Sequence, residues 1–216
     1  MENKIINNKK IILAFVTNII IVLLEIFGLI LSVKRHGLKV FHYYTENSNY
    51  LTLIISLIFC INCIYSLISK KQINTTIIIL RFISTTCLTI TLLVVLFILI
   101  PMFPNTAIFM LFRDSNLYQH TLCPLISIIS FLFFENDFKL NKKSIFLATL
   151  PTIVYGLIFI TLNLFKVVIG PYPFFYVYEI PWYSSIMWLS IILFGSIIIS
   201  IVLFAIYNRH SKANLL

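Results

Sequence analysis

The side chains able to do chemistry fall in three short places. In FHYYTENSNYLTL, residues 41–53, Thr45, Ser48, Asn49 and Thr52 stand at i, i+3, i+4 and i+7, so on a helix all four share one face. Such a stripe either bonds one membrane helix to another or lines a polar cavity, and Thr45 alone also suits a helix cap. In LYQHTLCPL, residues 117–125, His120 lies about one turn inside an apolar run, with Pro124 four residues on. An ionisable ring in such a run faces a partner or a cavity, as a satisfied interfacial histidine or as a functional one. The third place, GPYPFFYVYEIPWY at 170–183, sets three prolines among aromatics and reads as a stiff loop. Its Tyr176, Tyr178, Trp182 and Tyr183 suit a membrane-surface aromatic belt. Gly170-Pro171-Tyr172-Pro173-Phe174 suits a lid.

Two further residues are expected to support such a site. Glu25 stands about eight residues, roughly 12 Å, from the outer end of the first apolar run, where a lone carboxylate needs a partner or a proton. Asn163 shares a helical face with Thr152 and Tyr155 and is expected to line the same cavity. No metal and no cofactor are expected. Cys60, Cys63, Cys87 and Cys123 all sit in apolar runs, whereas zinc and redox motifs need a polar, partly accessible setting. The five glycines are too scattered for a phosphate cradle.

These residues must be held by membrane-spanning elements. The chain is 60% hydrophobic and 11% charged, with mean hydropathy +1.03, against about 25% charged in a soluble domain. Its six apolar runs, 11–33, 45–69, 75–101, 117–134, 145–168 and 182–207, each reach the ~20 residues that cross a bilayer. In lipid the backbone must satisfy its own hydrogen bonds, and runs this long without apolar/polar alternation form helices rather than barrel strands. The first run is longer than a signal-peptide core and no small-residue cleavage site follows, so it is expected to be retained as a helix. The net charge of +9 excludes a nucleic-acid reading by its placement, because lysines and arginines sit between apolar runs, as in segments held at a membrane surface. Lys4, Lys9, Lys10, Lys70, Lys71, Lys139, Lys142, Lys143, Arg209 and Lys212 fall on one side. Lys34, Arg35, Lys39, Arg113 and Lys166 fall on the other. Ten against five predicts both termini inside, with Arg81 in the membrane near the inner end of the third helix, where it can snorkel. The expectation is an all-α bundle of six transmembrane helices, N-in and C-in, as one domain over 1–216. The Asn74-Thr75-Thr76 sequon then faces the cytoplasm.

With Tyr44-Thr45, Ser48-Asn49, His120 with Pro124, and the 170–174 loop in place, the chain resembles the androgen-induced, multi-pass FAHFA hydrolases and their bacterial membrane relatives. The resemblance implies that Thr45, near the start of helix 2, and His120, in helix 4, are a catalytic pair hydrolysing esters of hydroxy fatty acids. A threonine hydroxyl is a weak nucleophile and needs an adjacent base, which a neutral imidazole supplies. Ser48, Asn49 and Tyr172 then support substrate and oxyanion, with Glu25 and Asn163 behind them, and Glu46 or Glu25 would orient the ring. The implied partners are membrane lipids, including an acyl-ester substrate, in a bacterial plasma membrane. The competing expectations are a small-solute binding or transport protein, which a capped polar cavity also suits, and a structural membrane protein.

Overall fold

The computed structural model describes residues 8–136 and 138–213. Lys4 and the side chain of Lys212 lie outside what is described. Six long helices make up the fold: α1 (Asn8–His36), α2 (Tyr44–Ser69), α3 (Thr75–Met102), α4 (Asp114–Phe134), α5 (Lys143–Leu164) and α6 (Trp182–Ala213). Each is long and apolar enough to cross a membrane, and no strand occurs among the described residues. The chain is therefore an all-α, multi-pass membrane protein.

Local chemistry sets the helix ends. Asn74 caps α3, its Oδ1 accepting the Thr76 N–H at 2.9 Å. Lys70 closes α2 in the left-handed region, φ 54°. The fifth helix, expected to run to 168, stops at Leu164 because Lys166 turns left-handed at φ 57°. Prolines explain two of the irregular turns. A π-helical turn over Val95–Leu99 precedes Pro101, and another over Leu117–Leu122 precedes Pro124. Proline lacks an N–H and crowds the carbonyl four residues back, and a widened turn relieves both. Between α3 and α4 lies a short helix, Ala107–Phe112.

The connections gather the charges at two ends. Lys9, Lys10, Lys70, Lys71, Lys139, Lys142, Lys143 and Arg209 lie at the end where α1 begins; Lys34, Arg35, Lys39, Arg113 and Lys166 lie at the far end. Two buried clusters match. Near the N-terminal end Phe131 stacks between Phe82 and Tyr207, at 5.7 and 4.6 Å between ring centroids. At the far end Phe159, Tyr172, Phe174 and Phe175 pack with Val95 and Leu99. The outer faces of α5 and α6 expose Leu157, Phe194 and Ile198, as lipid-facing surfaces do.

Arg81 departs from expectation. It does not snorkel: its side chain is 0% exposed and paired with Glu135, Nε to Oε2 at 3.0 Å and Nη2 to Oε1 at 3.0 Å. Its remaining donors reach Ser56, Ser84 and Ser127, and Asn18 and Ser130 complete the shell of Glu135 Oε1. A guanidinium whose donors are all met inside the bundle has no need to reach the surface.

Candidate functional site

Helix α2 enters the bundle at the far end, and its first turn carries the site. The N-cap is Tyr43, with no side-chain cap bond. Thr45 is thus the second helical residue rather than the cap, and its hydroxyl is free to face the bundle. The orphan amides of this turn are met from the 170–175 segment, where the Thr45 N–H donates to Tyr172 Oη at 3.3 Å. The Tyr44 amide and the Thr45 side chain face the same oxygen. Tyr172 is buried, and burial pushes its phenol up to about 12, so at neutral pH it keeps a proton to donate.

Thr45 and Tyr172 stand at the wall of a cavity of about 220 Å³ bounded by α2, α3, α5, α6 and the 172–175 turn. Phe174 and Phe175 cover one end, Phe174 stacking on Tyr172 at 5.0 Å and lying 6.3 Å from Trp188, while the exposed Leu157 and Leu193 leave the cavity open between α5 and α6. The segment expected to be a lid thus packs into the bundle. Tyr178, Trp182 and Tyr183 stay exposed at this end.

The stripe on α2 is buried, and each member bonds. Ser48 Oγ pairs with Thr91 Oγ1 at 2.7 Å, tying α2 to α3. Asn49 Nδ2 donates to the Thr45 carbonyl at 2.6 Å and to the Gln119 carbonyl at 3.2 Å, tying α2 to α4 beside His120; its Oδ1 has no partner. Thr52 Oγ1 returns to the Ser48 carbonyl.

His120 sits in the π-helical turn before Pro124. Its Nδ1 meets the Met110 carbonyl at 2.8 Å, and Thr121 Oγ1 donates to the Leu111 carbonyl at 2.8 Å. Together they satisfy orphan carbonyls at the end of the short helix. A carbonyl accepts only, so Nδ1 carries the proton and Nε2 is left as the acceptor. The ring does not line the cavity at Thr45.

The supporting residues divide. Glu25 is buried against Cys123 and senses Glu46, with Oε1 unpartnered. Glu46 bonds Ser32 and, at 2.7 Å, Gln119 Nε2; neither carboxylate bonds His120. Helix α1 comes so close here that a Cβ on Gly28 would lie 2.9 Å from Gln119 Cγ. Asn163 lies not on the wall with Thr152 and Tyr155 but in a separate surface hollow with Lys166, Tyr176 and Glu179. There it sits under Gly170, where a Cβ would come within 2.3 Å of Phe175 Cβ and 2.7 Å of Asn163 Nδ2.

Gly170→Ala is accordingly expected to lift the 172–175 turn off the cavity, at a cost of about 1–3 kcal/mol for overpacking. Tryptophan fluorescence reads it through Trp188. Gly195→Ala, where a Cβ meets nothing within 4 Å, should leave both emission and stability unchanged.

Thr91 from α3, a residue not expected from sequence, completes the wall together with Tyr44, whose Oη pairs with Thr152 Oγ1 at 2.8 Å. The signal for Thr91 was present in STTCLTITL, where four threonines fall in a run too polar to face lipid. Compared with known protein families, curated proteins and solved structures, the chain matches none.

Proposed function

We propose that this protein is a membrane-embedded hydrolase of lipid acyl esters, with Thr45 as nucleophile and His120 as base, acting in a bacterial plasma membrane. The observation that carries this reading is Thr45 at the wall of a largely apolar cavity, its side chain facing a buried phenol that keeps its proton. Thr45 Oγ1 attacks the ester carbonyl and, because the ring stands off the cavity wall, gives its proton to His120 Nε2 through an intervening water. The alcohol leaves with that proton, and the acyl group stays on Thr45. Water then attacks, His120 takes its proton and returns one to Thr45, and the acid departs. Tyr172 donates to the oxygen that becomes negative. Support for His120 comes from its tautomer, set by Met110, and from the Asn49 bond that joins its turn to the turn of Thr45.

A second reading, a small-solute binding or transport protein, draws on one observation: the His120 ring bonds backbone and stands off the cavity wall. A lipid-directed fluorophosphonate separates the two. The expected result is loss of fluoride and one phosphonyl adduct on the peptide carrying Thr45, found by mass spectrometry. No adduct, with a small water-soluble compound retained through purification, would sink the hydrolase reading.

A further inference from the structure

The hydroxyls around the cavity already have partners. Thr91 is paired with Ser48, Tyr44 with Thr152, and Tyr155 Oη donates to the His42 carbonyl at 2.7 Å, while the Thr45 and Tyr172 side chains face each other. What the walls still present is hydrocarbon: Ile90 and Val94 from α3, Ile153 from α5, Leu189 and Ile192 from α6. A polar solute brought here would lose its hydration and gain no partner.

Where the cavity opens decides what stands outside it. Leu157 of α5 and Leu193 of α6 both line it and are 62% and 36% exposed, so the gap between these helices leads sideways out of the bundle. Along the helices Leu157 lies about 10 Å below the end of α5 at Leu164, and Leu193 about 16 Å below the start of α6 at Trp182. The exposed rings of Tyr178, Trp182 and Tyr183 mark the headgroup level at this end, and the hydrocarbon of one leaflet is about 15 Å deep. The gap therefore opens among acyl chains. Behind it Ile90, on the helix that packs against both α5 and α6, forms an inner wall and is only 2% exposed. The space of about 220 Å³, set against about 150 Å³ for a cavity that holds one benzene ring, takes part of one chain and not two.

We propose that the gap between α5 and α6 is a lateral entrance through which one acyl chain of a bilayer lipid, drawn from the far-end leaflet, enters the cavity while its head stays at the membrane surface. That this lipid is an ester substrate rests on the hydrolase reading of Thr45; that a chain enters sideways rests on the walls and their depth. Gly156 stands on the α5 wall beside Leu157, and a Cβ there meets nothing within 4 Å. A large side chain at 156 would fill the passage without striking the backbone.

The test uses a phosphocholine lipid with two ether-linked chains, one carrying a diazirine halfway along, and the full chain in nanodiscs. Light expels dinitrogen, the carbene inserts into a neighbouring bond, and tandem mass spectrometry locates the adducts. In the wild type they should fall on Ile90 or Val94 as well as on the lipid-facing Phe194 and Ile198. In Gly156→Trp the adducts on Ile90 and Val94 should drop at least about tenfold relative to those on Phe194. Gly195→Trp, where a Cβ is equally unopposed but which does not line the cavity, should keep the wild-type ratio. Adducts confined to the outer faces in the wild type overturn the entrance whatever the variants do, and so does a wild-type ratio in Gly156→Trp. Ether chains cannot be hydrolysed, so labelling is read apart from the chemistry. Labelled Ile90 in a protein that hydrolyses no ester upholds the entrance and overturns the hydrolase reading alone; hydrolysis of p-nitrophenyl acetate with Ile90 unlabelled does the reverse.

Discussion

Thr45→Ala is expected to lower ester hydrolysis at least about a thousandfold, His120→Ala by a similar factor, and the double variant no further than either single. Residues that act as one nucleophile and base lose their joint effect when either is removed, so their losses do not add. The structure supplies clean companions for both. Removing the Thr45 hydroxyl leaves its backbone N–H on Tyr172, so Thr45→Ala should unfold within about 1 kcal/mol of wild type, and Thr45→Ser should keep most activity. His120→Ala also removes the bond to the Met110 carbonyl and should lose about 1 kcal/mol of stability as well. His120→Asn can keep that bond through its amide but has no base. It should be as stable as wild type and as inactive as His120→Ala. If His120→Asn keeps full activity, the histidine is a cap for the short helix and nothing more.

The fold was largely legible because the bilayer demands so much of a sequence. Six runs long enough to cross leave little choice of element or count, and the observed helices begin and end within a few residues of those runs. The errors fall where tertiary contact decides. The fifth helix stops early at a left-handed Lys166, a conformation that nothing in the residue type announces. Arg81 read as a snorkelling cation because its partner, Glu135, stands 54 residues away in sequence. At the site the stripe on α2 was visible in its spacing, since i, i+3, i+4, i+7 is a property of one helix. The partners of the stripe were not: that Ser48 meets Thr91 and Asn49 meets Gln119 depends on how three helices rotate against each other. Asn163 shares a helical face with Tyr155, yet the end of α5 turns it under Gly170 and away from the cavity.

The largest expected loss of stability comes from breaking the Arg81–Glu135 pair. Hydrogen bonds between membrane helices average about 0.6 kcal/mol, because the separated helices find other partners in lipid. Ser48→Ala, which removes one contact between helices, with Thr91, and one bond within α2, to the Thr45 carbonyl, should therefore be mild. Arg81→Met is a different case. It strands Glu135, 0% exposed, with Asn18, Ser130 and no countercharge, and an uncompensated buried charge costs about 3–5 kcal/mol. The consequences spread because five helices meet there: Asn18 from α1, Ser56 from α2, Arg81 from α3, Ser127 and Ser130 from α4, and Tyr207 of α6, which donates to the Glu135 carbonyl at 3.0 Å. At about 2–4 °C per kcal/mol for a chain of this size, Arg81→Met and Glu135→Leu should each lower the Tm in detergent by about 10 °C. The combined Arg81→Met/Glu135→Leu variant removes both charges, and apolar side chains often replace a buried pair without loss. It should recover more than half of that difference. A double variant whose loss equals the sum of the singles would mean that Arg81 and Glu135 act independently, and that the far-end site is held in place by packing rather than by this ion pair.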